Sequence, residues 1–199
     1  MSIQPINIVY VDDRIDPILS RYLDEYCSRP SSAELLYTEE PFSKGDTYDI
    51  LLNKESIQTA NILLIDSRLF EEADAGNQFT GEEFRIILNK LFPYIEVIVI
   101  SFNTLDIEWS VVSKCKEGRS YSDAKVYYDN KLRCVLEDKL KIIHENRRII
   151  GRLENKNTID RVLVEKIRRA AEGVIKYDEL TASDINNVVR AFQELISKG

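Results

Sequence analysis

Short, β-branched apolar runs recur along the first half of the chain, and helical patterns separate them. INIVYV (6–11), NILLI (61–65) and EVIVI (96–100) are close to continuously apolar rather than alternating. Strands read this way when both of their faces are buried, which is the environment of a parallel sheet covered by helices. Between the runs, Asp16–Cys27 places Ile18, Leu19, Tyr22, Leu23 and Tyr26 on one helical face, and Gly81–Phe92 does the same with Phe84, Ile87, Leu88 and Leu91. Residues 34–37 predict a second strand and 46–58 a second helix. Residues 105–115 predict a helix and 125–128 a short fifth strand, with a long helix beginning at Leu132. Five strand-then-helix units predict an α/β fold with a five-stranded parallel sheet.

In an open sheet of this kind, ligands meet the carboxyl ends of the strands. The first run stops at Asp12 and Asp13, the third at Asp66, and the fourth at Ser101. Taken singly, each of these residues also has a plain turn or structural reading. Together on adjacent parallel strands, three carboxylates repel one another unless a cation joins them. Hard oxygen donors with open positions suit Mg²⁺, which typically uses one or two carboxylates plus waters and phosphate oxygens. An aspartate beside such an ion has the chemistry of a nucleophile toward a phosphoryl donor. Ser101 is positioned to donate to a phosphoryl oxygen, and Lys131, after the expected fifth strand, to bring an ammonium to the same group.

The order Asp-Asp, Asp, Ser and Lys after strands one, three, four and five resembles the receiver domain of response regulators. VYVDD is similar to that family's opening acidic pair, LLIDSRL to its phosphoacceptor strand, and FTGEEF to the start of its third helix. VIVISFN is similar to its fourth strand, and AKVYYDNK to its fifth-strand segment. The resemblance covers about residues 5–148 and implies a flavodoxin-like sheet of strand order 2-1-3-4-5. It implies that Asp66 is the phosphoacceptor, that the Arg68 backbone carbonyl joins Asp12, Asp13 and Asp66 around Mg²⁺, and that Ser101 and Tyr127 act as switch residues. It further implies a phosphoryl donor of the histidine-kinase or phosphotransfer type. The chain is then a signalling phosphoacceptor and not an enzyme in its own right.

The rest of the sequence limits the alternatives. A single histidine, His144, in a charge-rich helical stretch leaves no Ser-His-Asp triad and no histidine-based zinc site. Three separated cysteines, Cys27, Cys115 and Cys134, have no metal-ligand spacing and fit isolated thiols in a reducing compartment. No apolar run approaches the ~20 residues of a membrane span, and the N-terminus lacks a basic leader, so a cytoplasmic location is expected.

Charge divides the chain. Residues 1–138 have a formal balance of −11, whereas residues 139–176 have +6. An acidic receiver-like domain over 1–135 and a helical extension over 136–199 follow, the extension comprising the long helix and patterns at 158–172 and 182–197. Leu136, Ile143 and Ile150, beside Val135, Ile142 and Ile149, form a stripe suited to a small bundle or to a homodimer seam. The basic tract reads as the solvated face of amphipathic helices, with DNA contact a less favoured alternative. Three functions are thereby open. They are a phosphorylated switch relayed through the tail to a protein partner, a pseudo-receiver adaptor working by contact alone, and a DNA-binding regulator.

Overall fold

A computed structural model describes residues 4–30, 34–43, 45–69, 80–102, 111–116, 118–154 and 161–171. Five strands, β1 (Ile6–Asp12), β2 (Leu35–Pro41), β3 (Ile62–Asp66), β4 (Glu96–Ser101) and β5 (Val111–Ser113), form one sheet. Every pairing is parallel, and the order is β2-β1-β3-β4-β5. This is the flavodoxin-like α/β architecture, with a helical segment after the sheet.

Side chains on a strand alternate between the two faces of the sheet, so each inner strand feeds two cores. Ile6, Ile8 and Tyr10 of β1, Ile62 and Leu64 of β3, and Ile98 and Ile100 of β4 share one face. That face is covered by helix α1 (Pro17–Cys27) and by the long α5 (Tyr121–Glu154). Val9, Val11, Leu63, Ile65, Val97 and Val99 form the opposite face. There it meets α2 (Tyr48–Leu52), α3 (Glu55–Gln58) and α4 (Gly81–Leu91). Each fully buried aliphatic side chain contributes about 1.5–3 kcal/mol relative to exposure.

Local chemistry sets the helix starts nearest the carboxyl end of the sheet. Asp16 caps α1 by accepting from the Ile18 and Leu19 amides at 2.9 and 3.3 Å, and Pro17 supplies a preset φ at the first turn. α4 opens with a capping box in which the Glu83 amide donates to Thr80 Oγ1 at 3.2 Å and the Thr80 amide to Glu83 Oε2 at 2.8 Å.

The sequence expectations at the fifth strand need correction. β5 is Val111–Ser113, inside a stretch expected to be helical, and 125–128 lies in α5. Valine and tyrosine raised the strand propensity of KVYY. Its burial pattern, with Ala124, Tyr128, Leu132 and Leu136 inward, follows a helical period. The helical reading of 105–110 and the pattern at 182–197 lie outside the described residues.

α5 runs 34 residues without a break and passes through position 135. α6 (Arg161–Ala171) packs on its far end, where Leu153 and Val164 are buried. Leu136 and Ile143 of the apolar stripe are buried, Ile149 and Ile150 half-buried, and Ile142 exposed. Among the described residues, no helix is long and apolar enough to cross a membrane.

Candidate acidic site at the carboxyl edge of the sheet

Strand alternation decides which carboxylates meet. Asp12 continues the series Ile6, Ile8, Tyr10, and Asp66 the series Ile62, Leu64, so both side chains fall on the α1/α5 side at the last residue of their strands. Lys114 continues the β5 face that carries Val112 and reaches the same place. Its ammonium donates to Asp12 Oδ2 at 2.7 Å and to Asp66 Oδ2. Asp12 is 1 % exposed, Asp66 5 % and Lys114 6 %.

A buried lysine is expensive unless its donors are used. Here burial pulls the Lys114 pKa down, but hydrogen bonds and charge from Asp12 and Asp66 outweigh it and hold the pKa above the ordinary lysine value. The ammonium also lies 4.8 Å from the centre of the Phe102 ring, and that ring is about half exposed. Asp12 takes two further donors, the Arg14 amide at 3.1 Å and the Tyr10 hydroxyl. Asp66 accepts from the Arg68 amide at 2.7 Å.

Ser101 and Ser67 follow the opposite parity, on the α2–α4 side, and their hydroxyls hydrogen-bond at 3.0 Å while both are buried. The turn after Asp66 is tight. The Gly81 amide donates to the Ser67 carbonyl at 2.9 Å, and a Cβ built on Gly81 would stand 2.6 Å from the Asp66 carbonyl oxygen. Only glycine lets the start of α4 approach the Asp66 turn this closely.

Asp13 points into the same cleft but is exposed at its mouth. Partial burial raises its carboxyl pKa first, and the neighbouring Asp12 and Asp66 carboxylates raise it further. The cleft has a volume of about 440 Å³, with Arg14, Arg68 and Lys116 on its rim.

The structure brings Asp12, Asp13 and Asp66 together, with the Arg68 amide, rather than its carbonyl, bonded to Asp66 and Ser101 next to them through Ser67. It does not bring Lys131 there. Lys131 sits exposed on α5, ten residues past that helix's first residue, and Lys114 occupies the place expected of it. Tyr127 likewise lies on α5 rather than on a strand, and its hydroxyl donates to the Ser113 carbonyl at 3.1 Å. Lys114 was legible in principle. VVSK is a β-branched pair followed two residues later by a lysine, the same end-of-strand signature that marked Asp12 and Asp66. The helical reading of 105–115 obscured it.

The donor set fits a hard divalent cation. Asp13 and Asp66 present carboxylate oxygens to the cleft, the hard donor type that such an ion takes. Among the described residues no group of three or more acidic, histidine or cysteine side chains is arranged to hold a metal ion, so Asp12, Asp13 and Asp66 do not form a three-carboxylate site.

Fold and site together define a doubly wound α/β domain with an acidic, lysine-bridged pocket at the carboxyl edge of its central strands. No protein-family model and no curated protein matches the chain. Similar solved structures include one of two RcsB dimers bound to two parallel DNAs, with 17% identity over 84% of this chain and 91% of that chain, at a TM-score of 0.40. The RcsB response regulator of Salmonella typhimurium is similar at 15% identity, over 84% of this chain and 89% of that one, with a TM-score of 0.40. A complex of the two-component response regulator RcsB with DNA is similar at 16% identity, over 94% and 98%, with a TM-score of 0.38. At these values the fold assignment rests on the sheet order and not on the likeness.

Proposed function

We propose that this chain is a response-regulator-type signalling protein that accepts a phosphoryl group on Asp66 and relays the change through its helical extension to a protein partner. The observation that carries the reading is the Lys114 ammonium bridging Asp12 and Asp66 at the carboxyl edge of the sheet. A buried cation fixed beside a strand-end carboxylate supplies charge where a phosphoryl group's oxygens would lie.

In the reaction proposed, an Asp66 carboxylate oxygen attacks the phosphorus of a phosphohistidine or acyl-phosphate donor. A new P–O bond forms, the donor's bond to phosphorus breaks, and its electron pair leaves with the donor nitrogen or oxygen. Lys114 balances the charge on the transferring oxygens, and Ser101 donates a hydroxyl to one of them after releasing its Ser67 contact. Asp13 and Asp66 would hold Mg²⁺ with Asp12 beside them, and that ion supplies further charge neutralisation when bound. The Arg68 amide fixes the orientation of the Asp66 carboxylate. The chain's own chemistry is limited to gaining and losing this group. A histidine kinase or phosphotransfer protein is the donor partner proposed, in the cytoplasm.

Intact-mass spectrometry after incubation with a small phosphodonor and Mg²⁺ tests the reading. Wild-type protein is expected to gain one phosphoryl group and Asp66→Asn none. A wild-type mass that stays unchanged would rule the reading out in favour of an adaptor that works by contact alone.

A further inference from the structure

Lys114 has to be held with its ammonium between two buried carboxylates, yet the strand delivering it is three residues long and buries only Val112 fully. The ladder to β4 continues for one more bond, from the Lys114 amide to the Ser101 carbonyl at 2.6 Å, and then ends. Beyond it the chain turns through Gly118, at φ +80°, into α5. So short an edge strand is a weak support for a charged group that resists desolvation.

Two side chains of α5 supply what the ladder lacks. The Tyr127 hydroxyl donates to the Ser113 carbonyl at 3.1 Å, one residue before the lysine. The Cys115 amide donates to the Tyr128 hydroxyl oxygen at 3.1 Å, one residue after it. The main chain is therefore tied to α5 on both sides of Lys114. The two tyrosines are themselves fixed. Their rings meet edge to face with centroids 5.5 Å apart, and fully buried Tyr128 also contacts the Tyr22 ring of α1 at 5.3 Å.

We propose that Tyr127 and Tyr128 are positioning residues that act through Lys114, clamping the main chain on either side of it so that its ammonium reaches Asp12 and Asp66 together. The inference rests on the phosphoacceptor reading, because it concerns the lysine that would meet the phosphoryl group. The clamp fixes where the phosphoryl oxygens find their cation, whereas a divalent ion at Asp13 and Asp66 would take carboxylate oxygens directly and is expected to depend on the clamp less. It also makes α5 the element that feels any displacement of Lys114.

That separation gives the test. Full-length Tyr127→Phe, Tyr128→Phe and the double variant keep the rings and lose only the hydroxyls. Tyr22→Phe is the matched control, since it removes a hydrogen bond from α1 to Asp129 of α5, 3.1 Å long, without touching residues 113–115. Calorimetric titration measures two affinities, for Mg²⁺ alone and for beryllofluoride, a phosphoryl mimic, at saturating Mg²⁺. The double variant is expected to weaken beryllofluoride about tenfold, the worth of roughly one to two net hydrogen bonds, with Mg²⁺ affinity held within about twofold. Each single variant should show about a threefold loss, so the outcome does not depend on the double variant folding. Tyr22→Phe should leave both affinities in place. Unchanged beryllofluoride affinity in the tyrosine variants overturns the inference, as does a Tyr22→Phe loss of equal size. A wild-type protein that binds neither Mg²⁺ nor beryllofluoride removes the phosphoacceptor reading itself, and this inference with it.

Discussion

Asp13 and Lys114 stand on opposite sides of the same electrostatic balance. Lys114 pairs with two buried carboxylates at once, and its own protonation is reinforced by them. Asp13 has no comparable cation among the described residues, and burial together with Asp12 and Asp66 raises its pKa above the ordinary aspartate value of 3.8. The folded protein therefore holds a proton on Asp13 more firmly than the unfolded chain does. Stability is highest when that proton is bound and falls as pH rises through the raised pKa, so ionised Asp13 works against folding at neutral pH. Asp13→Asn is expected to raise the thermal midpoint at pH 7 by about 1–3 °C, a small gain because solvent screens the exposed carboxylate. The difference should vanish once the solution is acidic enough to protonate Asp13 in both states. Melts of both proteins across that range provide the check, and a variant that melts lower than wild type at pH 7 contradicts the argument. A carboxylate kept at a cost to stability is a common mark of a functional site.

At the scale of elements, the site is an agreement between strand ends and the helix starts beside them. α4 carries no site residue, but its N-terminus sets the Asp66 turn through Gly81. Gly81→Ala would push a methyl group against the Asp66 carbonyl and the Ser67 backbone, neither of which can rotate away. We expect a loss of about 1–3 kcal/mol in denaturant unfolding, with the Asp66 and Ser67 amides shifted in NMR spectra. Wild-type stability in this variant would mean that the turn is looser than described. The capping box of Thr80 and Glu83 and the Asp16 cap explain why helices begin where they do, since both were present as local side-chain patterns. β5 is the counterexample. Val111–Ser113 has too few residues for its own periodicity to identify a strand, and it becomes one because the edge of β4 offers a ladder at Val99, Ile100 and Ser101. KVYY shows the reverse, a strand-like tetrapeptide held in a helix by the burial of Ala124, Tyr128 and Leu132. Lys131 was placed at the site for that reason, whereas the lysine that reaches Asp12 and Asp66 lies seventeen positions earlier.

Across the whole molecule, α5 joins the acidic site to the far side of the sheet. At about 1.5 Å per residue its 34 residues span about 50 Å, more than the sheet it covers. Its first turns hold the Lys114 segment, whereas its second half fastens to the amino-terminal edge of the sheet. Lys139 pairs with Glu96 at the start of β4 at 2.8 Å, and Arg147 donates to the Gln4 and Pro5 carbonyls at 2.7 and 3.0 Å. Arg147→Ala is expected to speed amide hydrogen exchange over residues 140–154 and to lower stability by about 1–2 kcal/mol, leaving exchange near Asp66 unchanged. Unaltered exchange in that stretch would show that the clasp adds nothing. Several cations of this region have partners, although its net charge of +6 remains. Lys141, Arg148 and Arg168 pair with Asp138, Glu145 and Glu165 on their own helices, besides the contacts of Lys139 and Arg147.

The α/β alternation, the two-sided burial of the inner strands, and the three acidic residues at their ends follow from nearest-neighbour chemistry and a repeat of two or 3.6 residues, so they were legible without coordinates. Three things were decided only by the folded chain: that Lys114 meets Asp12 and Asp66, that Ser67 meets Ser101, and that Tyr127 and Tyr128 reach back from a helix to brace the fifth strand. Each depends on groups from different elements converging, and a three-residue edge strand has no local signal strong enough to announce itself before its neighbour supplies the hydrogen bonds that make it one.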